Sequence, residues 1–243
     1  MTRFLRWMPL ALLALLVAVP ALAPAQFVWP KPEYRISEPG LYEEDPFIVE
    51  YREKFFAVFR GDIRTFETAY AEIEAMLKKN PKDARALVWR GNGKTVRAGL
   101  TFLRDRKLEE ALKQLEDSRR DLDAAVALRP DDPNIYMMRA ATLYVQEMYF
   151  PPERLPRVVY ETLRDDCLRF IKFLGDRMTR VSIHVRGETY GELGIAYLRL
   201  GEKEKARAAF QRVIELCPGT AYATRAKREI EKLERLKSGR GQD

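Results

Sequence analysis

The sequence predicts an all-α chain, a solenoid of about four helical hairpins closed by a capping helix. Two observations carry that reading. Apolar residues recur at three- and four-residue spacing in successive stretches, each the stripe of an amphipathic helix. Pro81, Pro130 and Pro218 each end such a stretch, and Ala69 stands twelve residues before Pro81 just as Ala206 stands twelve before Pro218. One amphipathic hairpin cannot bury its own apolar face, so repeated hairpins must stack on one another.

The first 25 residues are set apart. Arg3 and Arg6 precede an apolar run from Met8 to Ala23, followed by Ala23-Pro24-Ala25. This order of charge, apolar core and small residues predicts a Sec-type signal peptide cleaved after Ala25. The apolar run is shorter than the about 20 residues of a membrane-spanning helix. An uncleaved anchor lengthened by Phe27, Val28 and Trp29 is the alternative. Without Arg3 and Arg6 the chain carries 41 basic and 36 acidic side chains, a net charge of +5 over 218 residues instead of +7. Interspersed charge of this kind predicts a solvated surface and no nucleic-acid stripe. Residues 26–45 follow as an extended arm rich in Pro and aromatic residues, with Trp29, Tyr34 and Tyr42.

The first hairpin spans 46–81. Asp45 caps its first helix and Pro46 takes the first helical position. Phe47, Ile48, Tyr51 and Phe55 form the buried side, Gly61-Asp62 turns, and Phe66, Ala69, Tyr70 and Ile73 line the second helix. The second hairpin, 84–130, is longer. Gly91 to Ala111 spans 20 residues and Ala111 to Pro130 spans 19, against 12 and 12 around Ala206 in the last hairpin. Each helix is thus expected to be longer by about two turns, with Ala111 and Leu115 reproducing the Ala206–Phe210 pair. The third unit, 133–184, has Tyr136, Met137, Ala140, Leu143 and Tyr144 on one helix and Val159, Leu163, Cys167 and Phe170 on the next. A proline-rich loop from Met148 to Pro156 joins them, and Gly175 to Arg186 reads as an irregular junction. In the fourth unit, 187–218, Tyr190, Leu193 and Tyr197 share one side and Gly201 ends the helix. Ala206, Phe210 and Val213 stripe its partner, and small Gly194 and Ala206 allow close crossing. A basic helix, 221–237, caps the stack, and 238–243 is expected to be a disordered tail. Cys167 and Cys217 are expected as two separate buried thiols.

Tyr190-x2-Leu193-Gly194-x2-Tyr197, Ala206-x3-Phe210 and Pro218 together resemble the tetratricopeptide repeat, a 34-residue helix-turn-helix unit. The resemblance implies a right-handed superhelix that binds proteins without catalysing a reaction. It also implies a concave groove lined by the first helix of each hairpin. Carried onto this sequence, the lining includes Val88, Asn92 and Thr95, then Met137, Ala141 and Tyr144, then Glu188, Gly191, Ile195 and Arg199. Family members that grip a C-terminal carboxylate use Lys, Arg and Asn at these places, and only Asn92 survives here. Met137 and Tyr144 suit an apolar or amphipathic peptide, or else they belong to the core. Tyr149 and Phe150, in the proline-rich loop, form a second candidate contact.

No catalytic or cofactor signal stands beside these. Gly91-Asn92-Gly93-Lys94-Thr95 lacks the glycine a phosphate loop needs at Val88. His184 has no nucleophile partner in the sequence, and one histidine with two cysteines is little material for a metal. The expected function is a non-enzymatic scaffold or assembly factor in the bacterial periplasm or cell envelope, working through protein partners and without a cofactor. Two alternatives are a membrane-anchored accessory subunit, close to the membrane through its N-terminus, and an exported glycan binder.

Overall fold

A computed structural model of the chain describes residues 45–238. The expected signal peptide, the arm up to residue 44 and residues 239–243 of the tail lie outside the described residues. The helices are α1 (Pro46–Phe56), α2 (Ile63–Lys79), α3 (Ala84–Asp105), α4 (Leu108–Leu128), α5 (Pro133–Tyr149), α6 (Arg157–Leu174), α7 (Ile183–Arg199), α8 (Lys203–Leu216) and α9 (Ala221–Ser238). They pair as α1/α2, α3/α4, α5/α6 and α7/α8, and α9 packs on the last hairpin. The fold is an all-α solenoid of the tetratricopeptide kind. Ser238 ends α9 and does not begin the tail.

Side chains set the starts of the first helices. Asp45, Asp83, Asp132 and Ser182 accept backbone N–H bonds from the first turns of α1, α3, α5 and α7, which satisfies donors that have no partner within the helix. Inside the first, second and fourth hairpins the chain turns through a left-handed residue. Gly201 takes φ +82° between α7 and α8 without strain. At the tip of the second hairpin that role falls to Arg106, the one non-glycine with positive φ among the described residues.

The second hairpin corrects the sequence reading in one respect. Gly194 faces the ring of Phe210, and a Cβ there would collide with it. The counterpart of this contact is Gly91 against Leu122 and the Ser118 carbonyl. Ser118 and Leu122, not Ala111 and Leu115, therefore hold the positions of Ala206 and Phe210. They stand 12 and 8 residues before Pro130, as Ala206 and Phe210 do before Pro218. The insertion is thus confined to the hairpin tip. There Ala98, Ala111 and Leu115 join Phe150, Leu155, Tyr160 and Leu200 in a separate apolar cluster.

The third junction also differs. Gly175–Thr179 forms a 3-10 turn and α7 already begins at Ile183, so the irregular stretch is shorter than Gly175–Arg186. His184 belongs to α7, where its ring meets Tyr222 of α9 and Glu188 one turn on.

Candidate functional site

Several residues expected to line the groove are structural. Asn92 donates to Thr142 Oγ1 at 3.2 Å. Thr95 bonds Ser118 Oγ at 2.9 Å, and Gln146 Nε2 donates to Thr95 Oγ1 at 3.0 Å. This polar network is buried between α3, α4 and α5, which removes Asn92 from any surface. Met137 and Ile195 are also buried in the core, as are Val88 and Thr95. In the loop, Phe150 is 3 % exposed and stacks on Phe102, with ring centroids 5.3 Å apart. Tyr149 lies half-buried over Gly99, and the loss of water around its hydroxyl pushes its pKa up to about 12. Loop and long hairpin therefore satisfy each other: the extra turns of α3 and α4 give the loop its apolar seat. Phe150 is a core residue and not an exposed contact.

The remainder forms a real surface on α5, α7 and α9. Ala141, Tyr144, Glu188 and Gly191 are half-buried, and Arg199 is exposed. Gly191 differs from the crossing glycines, since a Cβ added to it would meet nothing within 4 Å. It opens onto free space in the middle of α7. Arg225 reaches from α9 across to α5, its guanidinium 5.3 Å from the centre of the Tyr144 ring, a cation–π contact. Burial, only partly offset by the Arg225 guanidinium, raises the pKa of the Tyr144 hydroxyl and keeps it protonated.

Charge around this surface is arranged in pairs. Arg199 donates through Nε at 2.9 Å and Nη2 at 2.5 Å to Glu147 Oε1, tying α7 to α5. Glu188 Oε2 lies 3.2 Å from His184 Nε2, and Tyr222 Oη lies 2.5 Å from His184 Nδ1. Burial depresses the His184 pKa to about 3, so the ring is neutral. One ring nitrogen can then donate to Glu188 while the other accepts from Tyr222. Behind them, burial and the nearby Glu188 raise the pKa of Glu192 well above the usual carboxyl range. Its Oε2 lies 3.9 Å from Cys167 Sγ.

The surface is an open strip with a tyrosine, a bare glycine backbone, a carboxylate and two arginines. Such a strip can receive an extended or helical segment by stacking and by charge. Among the described residues no group of three or more His, Cys, Asp or Glu could hold a metal ion. Sequence reasoning brought out Tyr144, Glu188, Gly191 and Arg199, but it missed Arg225 and Glu147. Arg225 was hidden because its partner lies two hairpins back along the chain, in α5.

Residues 187–220 match the family model of the tetratricopeptide repeat. The chain contains a tetratricopeptide repeat. The match covers α7 from Gly187 onward, all of α8 and the turn that leads into α9. No curated protein and no solved structure matches the chain. Tetratricopeptide repeats in general mediate protein–protein interaction, and most are scaffolds rather than catalysts.

Proposed function

We propose that this protein is a non-catalytic scaffold or assembly factor that holds a protein partner against the α5–α7–α9 strip. The observation that carries the reading is Gly191. In a helix interior glycine costs roughly 0.5–1 kcal/mol relative to alanine, and no packing contact at this position requires it. Its use is the space it leaves open over the middle of α7. A partner segment seated there would stack on Tyr144 and pair its own charges with Glu188, Arg199 and Arg225.

The place of action is the bacterial periplasm or cell envelope. Support for it is the order of Arg3 and Arg6, the apolar run and Ala23-Pro24-Ala25. N-terminal sequencing of the mature protein tests it: cleavage after Ala25 leaves Gln26 first. A retained Met1 would move the reading to a membrane-anchored accessory subunit.

Gly191→Phe tests the binding surface itself. The new ring enters open space, so the variant is expected to fold as wild type and to lose partner recovery roughly tenfold or more. A folded G191F protein that recovers its partner normally overturns the assignment.

A further inference from the structure

Helices α1, α3 and α5 leave a shallow cleft between their N-terminal ends. Ile48 of α1, Val88 and Trp89 of α3, and Ile135 and Met138 of α5 form its apolar floor. Trp89 fixes one wall, its ring packed on Tyr51 and Phe55 of α1 with centroids 6.2 and 4.8 Å apart. Asp45, Arg85, Asp132 and Asn134 stand at the mouth. Asp45 and Asp132 are committed to capping α1 and α5. Arg85 lies over the Phe47 ring, its guanidinium 4.9 Å from the ring centre and 3.8 Å from the Asp45 carboxylate.

The described residues begin in this cleft, since Asp45 is both the first of them and part of the cleft wall. The arm of residues 26–44 joins the fold there. Its last stretch, from Ser37 to Glu44, carries Pro39, Leu41 and Tyr42. Neighbouring helices pack about 8–10 Å apart, so the row from α1 to α5 is roughly 16–20 Å wide. An extended chain covers about 3.3 Å per residue, so roughly six residues cross it.

We propose that residues 37–44 lie across this cleft of their own chain, with Leu41 and Tyr42 over its apolar floor. The attachment point decides the occupant. A segment tethered at the cleft wall meets the cleft at an effective concentration on the order of millimolar. A separate protein or a second copy has no such advantage and must displace the arm. Pro39 also removes conformational freedom that the arm would otherwise lose on docking. The α5–α7–α9 strip lies further along α5 and beyond it, so a docked arm leaves that strip open and does not depend on its having a partner.

The test is photocrosslinking in protein purified from the cells that make it. Benzoylphenylalanine replaces Ser37, and unlabelled chains are mixed with isotope-labelled ones in equal parts. A docked arm is expected to crosslink to α5 of its own chain, without joining labelled to unlabelled chains. A free tether from Ser37 to Asp45 sweeps a radius of about 26 Å and spreads its crosslinks over α1 and α2 as well. Leu41→Ser with Tyr42→Ser should lower the α5 yield at least about fivefold. Both changes fall outside the helices of the described residues, and circular dichroism checks that the solenoid is intact. Four results would overturn the proposal. Crosslinks could spread evenly over α1, α2 and α5. They could join labelled to unlabelled chains, which seats the arm in a second copy. The α5 yield could be unmoved by the double variant. Irradiation of the same protein inside cells could give crosslinks to another protein in place of α5.

Discussion

Arg139 of α5 grips Asp166 of α6 with both arms of its guanidinium, Nε to Oδ2 at 2.7 Å and Nη2 to Oδ1 at 2.8 Å. Arg90 of α3 holds Asp121 of α4 by the same fork, at 2.8 and 2.6 Å. Each arginine immediately precedes the small residue where its helices cross, Gly91 or Ala140. In the fourth hairpin the matching positions, before Gly194 and Phe210, are Leu193 and Ala209, both buried. The Asp166 side chain is only 3 % exposed, so removing its partner strands a buried carboxyl group.

Arg139→Leu alone should therefore cost about 3–5 kcal/mol. Adding Asp166→Ala rebuilds the apolar pair of the fourth hairpin and should recover most of that loss. Urea denaturation of the two single variants and the double variant measures the coupling. A double variant as unstable as the sum of the singles would contradict the equivalence of these positions.

The three glycines of α7, Gly187, Gly191 and Gly194, should respond differently to alanine. Gly191→Ala meets nothing and should stabilise the protein by about 0.5–1 kcal/mol. Gly194→Ala collides with Phe210, and Gly187→Ala with Tyr222; each should destabilise by roughly 1–3 kcal/mol. Thermal unfolding of the three variants checks the order, and a destabilised G191A would show that the space over α7 is occupied.

These contacts also explain what was legible in the sequence. The fourth hairpin reads clearly because its crossing contacts are apolar and follow the repeat pattern residue by residue. In the second and third, the Arg–Asp forks replace the apolar pair, so charged letters stand where a hydrophobic period is sought. The tip insertion then displaced the count, and Ala111 and Leu115 imitated a crossing pair that Ser118 and Leu122 actually form. Asn92 misled for a related reason: a polar side chain on a predicted groove face looks like a ligand contact until Thr142 is known to face it. Contacts across hairpins, Tyr144 with Arg225 and Glu147 with Arg199, leave no periodic trace.

Glu192 should make stability depend on pH. In the folded protein burial raises its pKa, so the carboxyl keeps a proton that the unfolded chain releases above about 4.5. Its contribution is favourable at low pH and is lost as pH rises through that window, by at most about 1.4 kcal/mol per pH unit. Glu192→Gln keeps the neutral shape and should gain on wild type between pH 5 and pH 8. Denaturation at both pH values measures the gap, and a constant gap would refute the assignment.

Phe150→Ala should cost about 3–5 kcal/mol, because it empties the seat between the loop and the long second hairpin. Urea denaturation measures this loss. Tyr149→Ser should cost less, since that ring is only half-buried. Helix α5 runs to Tyr149, so the loop begins only at Phe150, and partner assays are informative at Tyr149 and not at Phe150.

The central claim is that a protein partner lies on the α5–α7–α9 strip. Its most direct measurement is site-specific photocrosslinking in the native cells, with a photoreactive residue at 191 or 144 and a control at 165 on the exposed side of α6. The account predicts one recurrent protein crosslinked from 191 and 144 and not from 165. Crosslinks arising only from 165, or none from a folded and normally abundant protein, would contradict it.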